Sequence, residues 1–379
     1  MMTDQKRRTI ALFYPIFAGG GAEAVALWTA YALQDHYDVT LFTALDIDIN
    51  KLNGMYATEV SLQKVKVRVQ FSGKGSDLLQ WLRTKKVVFS KAVVHNSIRW
   101  FKSVSKSYDV CFSAYNAIDF GRLGLQYVHW TNVLRHPRFF WISGFSEARA
   151  FKNLSVANSN YTATEVQKVF GQTAEVLYPP VVYDETIKVV PWEEREPFSF
   201  VCSGRIVKAK SPHRVIKILA KIRQQGYDVK LHLTGGGGGG YADDYYRKVA
   251  AMVKANSDWV TLHIDLPYRD YMDVLRHCRY GFHLKTEPFG ISVAEIMQMG
   301  LIPLVRHRGG QVEIVGTEHP EILIHPKDDH CAKIISILED EAKQQAILET
   351  LKHRRHLFAP DRFIQGTRKF VENYFAEFG

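Results

Sequence analysis

The sequence predicts an α/β protein built from two tandem, doubly wound Rossmann-like domains. Three observations lead to this prediction. Short apolar runs rich in β-branched residues alternate with longer amphipathic segments, which is typical of parallel sheets flanked by helices. The alternation stops at a proline pair near residue 180 and then starts again. The chain has 379 residues, 46% of them hydrophobic, which is enough for two cores.

The first half opens with a strand, a glycine loop, a helix and a second strand. TIALFYPIF at 9–17 predicts the first strand, AGGGAEAVALWTAYALQDH at 18–36 the loop and helix, and YDVTLFTA at 37–44 the next strand. Further strand candidates are VKVRVQF, YDVCFSAY, GLQYVHW and LSVANS. Because paired prolines suit a linker, we place this domain at residues 1–181.

The second half repeats the alternation, from FSFVCSG at 198–204 to LIPLVRH at 301–307. In the helix that follows the first of these strands, Ser211 is expected to be the N-cap, Pro212 the first residue and Gly226 the end. This domain is placed at residues 182–358. The last segment, 359–379, predicts an amphipathic helix after a proline.

Composition narrows the classes of partner and compartment. The net charge is +10, and residues 1–181 hold 21 Lys/Arg against 13 Asp/Glu, whereas 182–379 hold 28 against 26. The first half therefore attracts anionic partners. No apolar run is long enough for a transmembrane helix, and the N-terminus lacks the apolar core of a signal peptide. Scattered cysteines without a C-x-x-C pair indicate buried thiols, and we expect a cytoplasmic protein.

Candidate ligand-binding residues follow the predicted strands, and ligands of open α/β sheets bind at the carboxyl ends of strands. Gly19–Gly21 come after the first strand and open the first helix, where bare N–H groups favour an anion. Arg205 and Lys210 come after the first strand of the second domain. Three glycines also make an ordinary turn, and two cations in one loop are usually solvated. Each signal is weak by itself.

The stretch TEPFGISVAE places Glu287 and Glu295 eight positions apart around a helix that begins near Gly290. A helix N-terminus and two cations suit a diphosphate, and carboxylates accept hydrogen bonds from sugar or ribose hydroxyls. Taken together, these residues predict a nucleotide-sugar site.

The pattern resembles the E-x7-E motif of the retaining GT-B glycosyltransferases of the GT4 family. Glu287 and Glu295 match its two glutamates, Arg205 and Lys210 its Arg-x4-Lys pair, AGGGAE its glycine loop, and GLIPLVRHRGGQVEIVG its later strand and GG loop. YVHW and VLYPPVV are similar to α-1,2-mannosyltransferases of the dolichol pathway. The six glycines at 235–240 depart from the family's shorter loop.

The resemblance implies a GT-B fold with two domains facing a cleft and a closing helix that crosses back to the first domain. It also implies that Glu295 binds ribose, that Glu287 binds the donor sugar and that His129 lines the cleft. The implied catalytic residues are Glu287, Arg205, Lys210 and His129, and the implied nucleotide-sugar site comprises Gly20, Gly21, Arg205, Lys210, Phe289, Gly290, Ile291 and Glu295.

The activity implied by the resemblance is retaining transfer of a hexose from a UDP- or GDP-sugar to a glycan or lipid-linked acceptor, without a metal or other cofactor. Two alternatives stay open: a nucleotide-sugar epimerase on the same fold, and a nucleic-acid-binding protein that uses the basic first half. No nucleic-acid-binding motif is present in the sequence, and we do not expect the protein to bind nucleic acid. Asp46 and Asp48 form a D-x-D that could bind a metal, but their surroundings do not suit that role.

Residues 78–108 contain seven Lys/Arg, four interleaved aromatic residues and no Asp or Glu. Such a segment suits the interface of an anionic membrane. An ordinary helix whose aromatic residues pack on the sheet is an equally good interpretation. The resemblance favours the membrane, and we expect peripheral binding to its inner face.

Overall fold

The computed structural model gives two compact units. One comprises 1–182 together with 359–379, and the other comprises 183–358. The residues described are 7–17, 19–85, 87–132, 134, 137–182, 187–235 and 244–379, with the backbone alone for 83–85 and 87–89.

The first unit contains a parallel sheet. Its strands are β1 (Thr9–Phe13), β2 (Asp38–Leu45), β3 (Val65–Phe71), β4 (Val110–Ser113), β5 (Leu125–Val128), β6 (Leu154–Ala157) and β7 (Glu175–Val176). Among the described residues these seven strands are arranged in the order β3-β2-β1-β4-β5-β6-β7. The order reverses between β1 and β4, which is where doubly wound sheets bind ligands.

Helices connect these strands. They are α1 (Gly21–Leu33), α2 (Ile49–Tyr56), α3 (Lys74–Lys85), α4 (Val87–Val104), α5 (Pro137–Ser143), α6 (Glu147–Ala150) and α7 (Asn160–Phe170). The central strand β1 is apolar on both faces, because Ile10 and Leu12 belong to one core cluster, whereas Ala11 and Phe13 belong to another. Alternate residues of a strand point to opposite faces, so helices cover both faces of this sheet.

The second unit has a smaller parallel sheet with the same kind of reversal. Its strands are β8 (Ser199–Ser203), β9 (Lys230–Gly235), β10 (Val260–Ile264), β11 (Tyr280–His283), β12 (Ile302–Arg306) and β13 (Leu323–Ile324). The strand order within the described residues is β10-β9-β8-β11-β12-β13, so β8 and β11 lie side by side in the middle. Its helices are α8 (Pro212–Arg223), α9 (Asp244–Lys254), α10 (Tyr268–His277), α11 (Ile291–Gln298), α12 (Gln311–Val315), α13 (His330–Leu338) and α14 (Glu341–Arg354).

Helix α8 shows where the sequence was predictive and where it was not. Pro212 is its first residue, and the apolar stripe of α8 is buried, as predicted. The predicted cap is wrong, because Ser211 has φ +56° and its hydroxyl donates to the Lys208 carbonyl instead of capping the helix. The helix also ends at Arg223, before Gly226.

The last helix, α15 (Pro360–Phe378), belongs to the first unit and packs on α1. Phe363 and Val371 enter the same core cluster as Ile10 and Leu12. The Arg368 Nε donates to the carbonyl of Ala32 at 2.8 Å. The predicted return of the closing helix to the first domain is confirmed, as are the two Rossmann-like sheets.

Two further expectations concern the chain as a whole. In the part of the chain that is described, no helix is long and apolar enough to cross a membrane. The four cysteines are free thiols, and three of them, Cys111, Cys202 and Cys278, are buried. Of the six-glycine run only Gly235 lies within the described residues, at the end of β9.

Candidate functional site

The candidate site of the second unit lies at the carboxyl ends of β8 and β11. The chain leaves β8 through Gly204, whose φ is +124°, and Lys210 follows in the loop before α8. A Cβ at Gly204 would lie 3.2 Å from Lys210 Cε. Glycine at this position therefore leaves room for the lysine stem and supplies a backbone angle that other residues rarely adopt.

Lys210 and Glu287 form an ion pair at this edge. Lys210 Nζ lies 2.7 Å from Glu287 Oε1, and Lys285 Nζ lies 3.1 Å from Glu287 Oε2. Burial alone raises the pKa of Glu287, but the charges of Lys210 and Lys285 outweigh it, so the pKa is lowered from its usual value. Glu287 is thus an ionised, partly buried carboxylate with a cation at each oxygen.

The loop that carries Glu287 is fastened to the glycine pair after β12. The Glu287 N–H donates to Gln311 Oε1 at 2.9 Å, and the Gly310 N–H donates to the Glu287 carbonyl at 2.8 Å. Gln311 is fully buried, and its Nε2 donates to the carbonyls of Lys285 and Arg308. A Cβ at Gly310 would overlap the Pro288 carbonyl, so the two loops approach as closely as glycine allows.

Glu295 lies on α11 and accepts a hydrogen bond of 3.1 Å from the Tyr271 hydroxyl. Burial raises the pKa of Glu295 to about 7, although the Tyr271 hydrogen bond and the charge of Lys210 lower it in part. The two glutamates therefore differ: Glu287 is held ionised by cations, whereas Glu295 titrates near neutral pH. Such a difference is typical of binding and catalytic sites.

The residues around the helix start are placed as follows. Gly290 is the N-cap of α11 with φ +104°, and Ile291 is its first residue. Phe289 is 4% exposed and its ring packs against Phe358, so this side chain belongs to the core. Within the described residues no side chain caps α11. Its N-terminus thus keeps the partial positive charge that favours an anion.

Arg205 lies apart from the ion pair. Its side chain is exposed in the loop after β8, and it makes no hydrogen bond or ion pair within the residues described here. The structure therefore brings Lys210 and Glu287 into contact and leaves the Arg205 guanidinium in solvent.

The glycine loop of the first unit is occupied from within. The N–H of Gly19 donates to Glu23 Oε2 at 2.9 Å, and the N–H of Gly20 donates to the Tyr56 hydroxyl at 3.0 Å. The Tyr56 hydroxyl in turn donates to Glu23 Oε2 at 2.9 Å. The expectation of bare amides is thus wrong for Gly19 and Gly20, while Gly21 begins α1.

His129 follows β5 and is bonded to the backbone. Its Nε2 lies 2.9 Å from the Ala114 carbonyl, and burial lowers the pKa of His129 to about 4, against the raising effect of this hydrogen bond. The N–H groups of His129 and Trp130 both donate to Asn116 Oδ1 at 2.7 Å. Asn116 has φ +107°, so a strained residue orients this turn.

Four residues near the glutamates were missed by the sequence analysis: Lys285, His283, Gln311 and Tyr271. Lys285 and His283 precede Glu287 by two and four positions in HLKTE, so their proximity was readable from the sequence. Gln311 and Tyr271 are brought in by other elements. No local pattern marks them.

The acidic D-x-D pair has structural partners. Asp48 is the N-cap of α2 and accepts from the Lys51 N–H, and Asp46 accepts from the Gly73 N–H. No group of three or more metal-ligating side chains occurs among the described residues.

The segment 78–108 forms α3 and α4, and part of it is core. Phe101 is fully buried, and Trp100 packs on Phe42. Lys102 forms an ion pair of 2.8 Å with Asp119, which is 0% exposed. Phe101 thus belongs to the core, and Trp100 and Lys102, which are partly buried, have partners within the fold. Lys86 lies outside the described residues, and the side chain of Lys85 is not described.

A protein-family model and several solved structures are similar to this chain. Residues 184–354 match the family described as "Glycosyl transferases group 1". A solved structure of Anabaena HepE in complex with UDP-glucose has a TM-score of 0.68 and 16% identity, covering 96% of this chain and 99% of that one. WaaG, a glycosyltransferase involved in lipopolysaccharide biosynthesis, has a TM-score of 0.61 and 14% identity, covering 94% and 98%. These structures share the GT-B fold.

Curated relatives include the GDP-Man:Man(3)GlcNAc(2)-PP-Dol alpha-1,2-mannosyltransferases. The Dictyostelium discoideum enzyme is 23% identical over an alignment of 240 positions that covers 59% of this chain and 48% of that protein. The Homo sapiens enzyme is 23% identical over an alignment of 407 positions, gaps included, that covers 90% of this chain and 82% of that protein. The match to the first of these thus spans about half of its length. Residues 184–354, a little under half of this chain, thus match the group 1 (GT4) glycosyltransferases, and the chain has the GT-B fold.

Proposed function

We propose that the protein transfers a hexose from a nucleoside-diphosphate sugar to an acceptor hydroxyl with retention of configuration. The observation that supports this most is the contact between Lys210 and Glu287, 2.7 Å apart at the carboxyl ends of the two central strands. A lysine beside an uncapped helix N-terminus suits a diphosphate. A carboxylate next to it suits the hydroxyls of the attached sugar.

The residues have separate roles in this proposal. Lys210 and the N-terminus of α11 at Gly290 and Ile291 bind the diphosphate. Arg205, which is exposed and unpaired within the described residues, closes onto it when the donor binds. Glu295 accepts hydrogen bonds from the ribose hydroxyls, and Glu287 from the donor sugar.

The first unit contributes its own residues to the proposed reaction. His129 contacts the donor sugar, with its imidazole neutral because the pKa is lowered to about 4 by burial. Gly20 and Gly21, which lack side chains, allow the donor to approach the backbone closely. The Gly20 N–H is not free to bind the donor, because it already donates to the Tyr56 hydroxyl.

In the reaction the bond between the anomeric carbon and the diphosphate oxygen breaks, and negative charge grows on the leaving group. Preorganised cations stabilise that charge most strongly in the transition state. The acceptor oxygen then bonds to the anomeric carbon from the same face, and its proton passes to the departing diphosphate. Atoms and charges balance without a metal, and we propose that none is needed.

The donor and acceptor are proposed from the names of relatives. HepE was solved with UDP-glucose, and the curated mannosyltransferases use GDP-mannose and a dolichol-linked oligosaccharide. We therefore propose a UDP- or GDP-hexose as donor, and a glycan or lipid-linked glycan as acceptor.

A thermal-shift screen with UDP, GDP and ADP identifies the base first. A nucleotide at about 100 times its Kd stabilises the folded state by roughly 2.7 kcal/mol. Lys210→Ala should reduce this shift without abolishing it, because the N-terminus of α11 still binds the diphosphate. Lys208→Ala, an exposed lysine of the same loop, should leave it intact. No shift with any nucleotide would contradict the proposal.

The matching nucleotide-sugars are then incubated with and without short glycan and lipid-linked acceptors. Release of nucleoside diphosphate that depends on the acceptor, together with a product of retained configuration, supports a transferase. Conversion of the donor into another nucleotide-sugar without any acceptor would instead identify the epimerase alternative. Inverted configuration would contradict the mechanism.

A further inference from the structure

His283, the last residue of β11, is a buried polar side chain that the proposed roles do not use. It is 2% exposed, and its Nε2 has no hydrogen-bond partner among the described residues. That atom lies 3.7 Å from Glu287 Oε1, just beyond hydrogen-bond distance. An unsatisfied buried donor costs on the order of 1–3 kcal/mol, so its presence beside the sugar-binding carboxylate calls for an explanation.

The other side of the ring indicates which nitrogen carries the proton. His283 Nδ1 lies 3.4 Å from the Ser292 hydroxyl, which can donate to it. The imidazole is neutral, because burial and the charge of Lys210 lower the pKa of His283 to about 3, with Glu287 opposing. The proton then lies on Nε2, the nitrogen that is directed at Glu287.

Lys210 is already bonded to the carboxylate oxygen that the His283 Nε2–H faces. Its ammonium lies 2.7 Å from the same oxygen, Glu287 Oε1. A donor diphosphate competes for that ammonium, because it brings more negative charge than one carboxylate. Once Lys210 turns to the diphosphate, Oε1 loses its partner while Lys285 continues to hold Oε2.

We propose that His283 is a positioning residue that donates from Nε2 to Glu287 Oε1 when Lys210 moves to the donor diphosphate. The carboxylate thereby keeps its orientation toward the sugar hydroxyls after the ion pair breaks. Closing the distance from 3.7 Å needs a shift of less than about 1 Å. This inference rests on the proposed function and adds an exchange of partners at Glu287.

Nucleotide binding alone should produce a spectroscopic signature in the wild-type protein. Long-range proton–nitrogen NMR of protein with labelled histidine rings is recorded before and after saturation with UDP or GDP, whichever the thermal-shift screen selects. The Nε2–H resonance of His283 should move downfield and exchange more slowly with water on saturation. An unchanged resonance with nucleotide bound would overturn the inference.

Variants test the consequence for turnover. His283→Met removes the donor at similar size and should lower kcat about 10- to 100-fold, while the Kd of free nucleoside diphosphate changes less than about 2-fold. His283→Gln restores an amide donor and should recover kcat to within about 5-fold of wild type. His232→Met, at a strand histidine that faces His263 in the same sheet, serves as the matched control and should keep wild-type kcat.

The outcomes separate this inference from the proposed function. If no nucleotide binds, the proposed function fails. If wild-type protein binds nucleotide and transfers sugar while His283→Met is equally active, only the exchange of partners is wrong. Should His283→Met fail to fold, the NMR measurement on wild type and the kcat of His283→Gln test the inference instead. Loss of activity in His283→Gln without loss of stability would also overturn the inference.

Discussion

The two units each place a glycine before a helix at the carboxyl edge of a parallel sheet, and no described side chain caps either helix, but the hydrogen bonds of the loops before the two helices differ. At α1 the amides of Gly19 and Gly20 already donate to Glu23 and Tyr56. At α11 no side chain in the described part of the chain caps the helix, and the nearby Glu287 is paired with lysines instead. A glycine before a helix therefore does not by itself indicate a free anion site. The position of the neighbouring carboxylate decides.

The largest expected effect comes from removing the side chain of Lys210 in the second unit. Lys210→Ala should lower kcat about 100- to 1,000-fold, because it removes a preorganised charge from the leaving diphosphate. Donor KM should change less, as expected for an interaction that strengthens in the transition state. Steady-state kinetics with the identified donor measure both constants, and Lys208→Ala is the control. A change confined to KM would mean that Lys210 only binds substrate.

The two glutamates should fail in different ways. Glu287→Gln should reduce kcat about 10- to 100-fold without weakening the binding of free nucleoside diphosphate, because Glu287 accepts from the donor sugar and competes with the diphosphate for Lys210. Glu295→Gln should instead weaken nucleotide binding by roughly 1.5–3 kcal/mol, since it loses charged hydrogen bonds to ribose. Calorimetry and kinetics on both variants separate the effects, with Glu341→Gln in α14 as control. Equal loss of nucleotide affinity in both would refute the assignment.

Glu295 should also make stability depend on pH. Because burial raises its pKa to about 7 in the folded protein, the folded state holds this proton more tightly than the unfolded chain does. Its contribution to the free energy of unfolding is therefore largest below pH about 4.5 and is lost as pH rises to about 7. The amide in Glu295→Gln does not ionise, so the free energy of unfolding of this variant should not fall in this way. Relative to wild type it should rise by up to about 2–3 kcal/mol between those pH values.

Urea denaturation of both proteins at about pH 5 and pH 8 measures this difference. Parallel stability profiles would show that Glu295 ionises normally in the folded protein.

The sequence was sufficient for the architecture and for the pair of glutamates. The central strands are long enough for their apolar runs to be recognised, whereas β7 and β13 have two residues each and leave no periodic signal. The contact of Lys210 with Glu287 follows from β8 and β11 being neighbours, which the alternation of elements alone does not specify. Glu23 was visible within AGGGAE, but its approach to Gly19 depends on side-chain direction.

The hydrogen bonds of the glycine loop in the first unit should contribute to stability rather than turnover. Tyr56→Phe removes the hydroxyl that links the Gly20 amide to Glu23, which should cost about 1 kcal/mol of unfolding free energy. Tyr31→Phe is the matched control, because the Tyr31 hydroxyl makes no hydrogen bond in the described part of the chain. Chemical denaturation gives both values. A wild-type stability for Tyr56→Phe combined with a large loss of kcat would reverse the comparison between α1 and α11.

The smallest effect concerns the basic segment 78–108, where Lys106, exposed in the turn after α4, can be compared with the ion-paired Lys102 within α4. We expect salt-sensitive binding of the protein to anionic vesicles, and Lys106→Glu should weaken it by about 1–2 kcal/mol without changing stability. Lys102→Glu should instead destabilise the fold, because Lys102 pairs with the buried Asp119. Vesicle sedimentation and thermal melting measure the two effects. If wild-type protein does not bind anionic vesicles at low salt, the membrane interpretation of this segment is wrong.

Helix α15 gives the order of the chain a consequence for synthesis. The first unit is translated first, yet its core includes Phe363 and Val371 from the last described helix. The second unit, between 183 and 358, contains all of its own strands before α15 leaves the ribosome. During translation, the second unit can therefore finish folding before the first. Until α15 is synthesised, the apolar face of α1 that packs on it stays exposed. A nascent chain arrested before residue 360 should expose that face to chaperones.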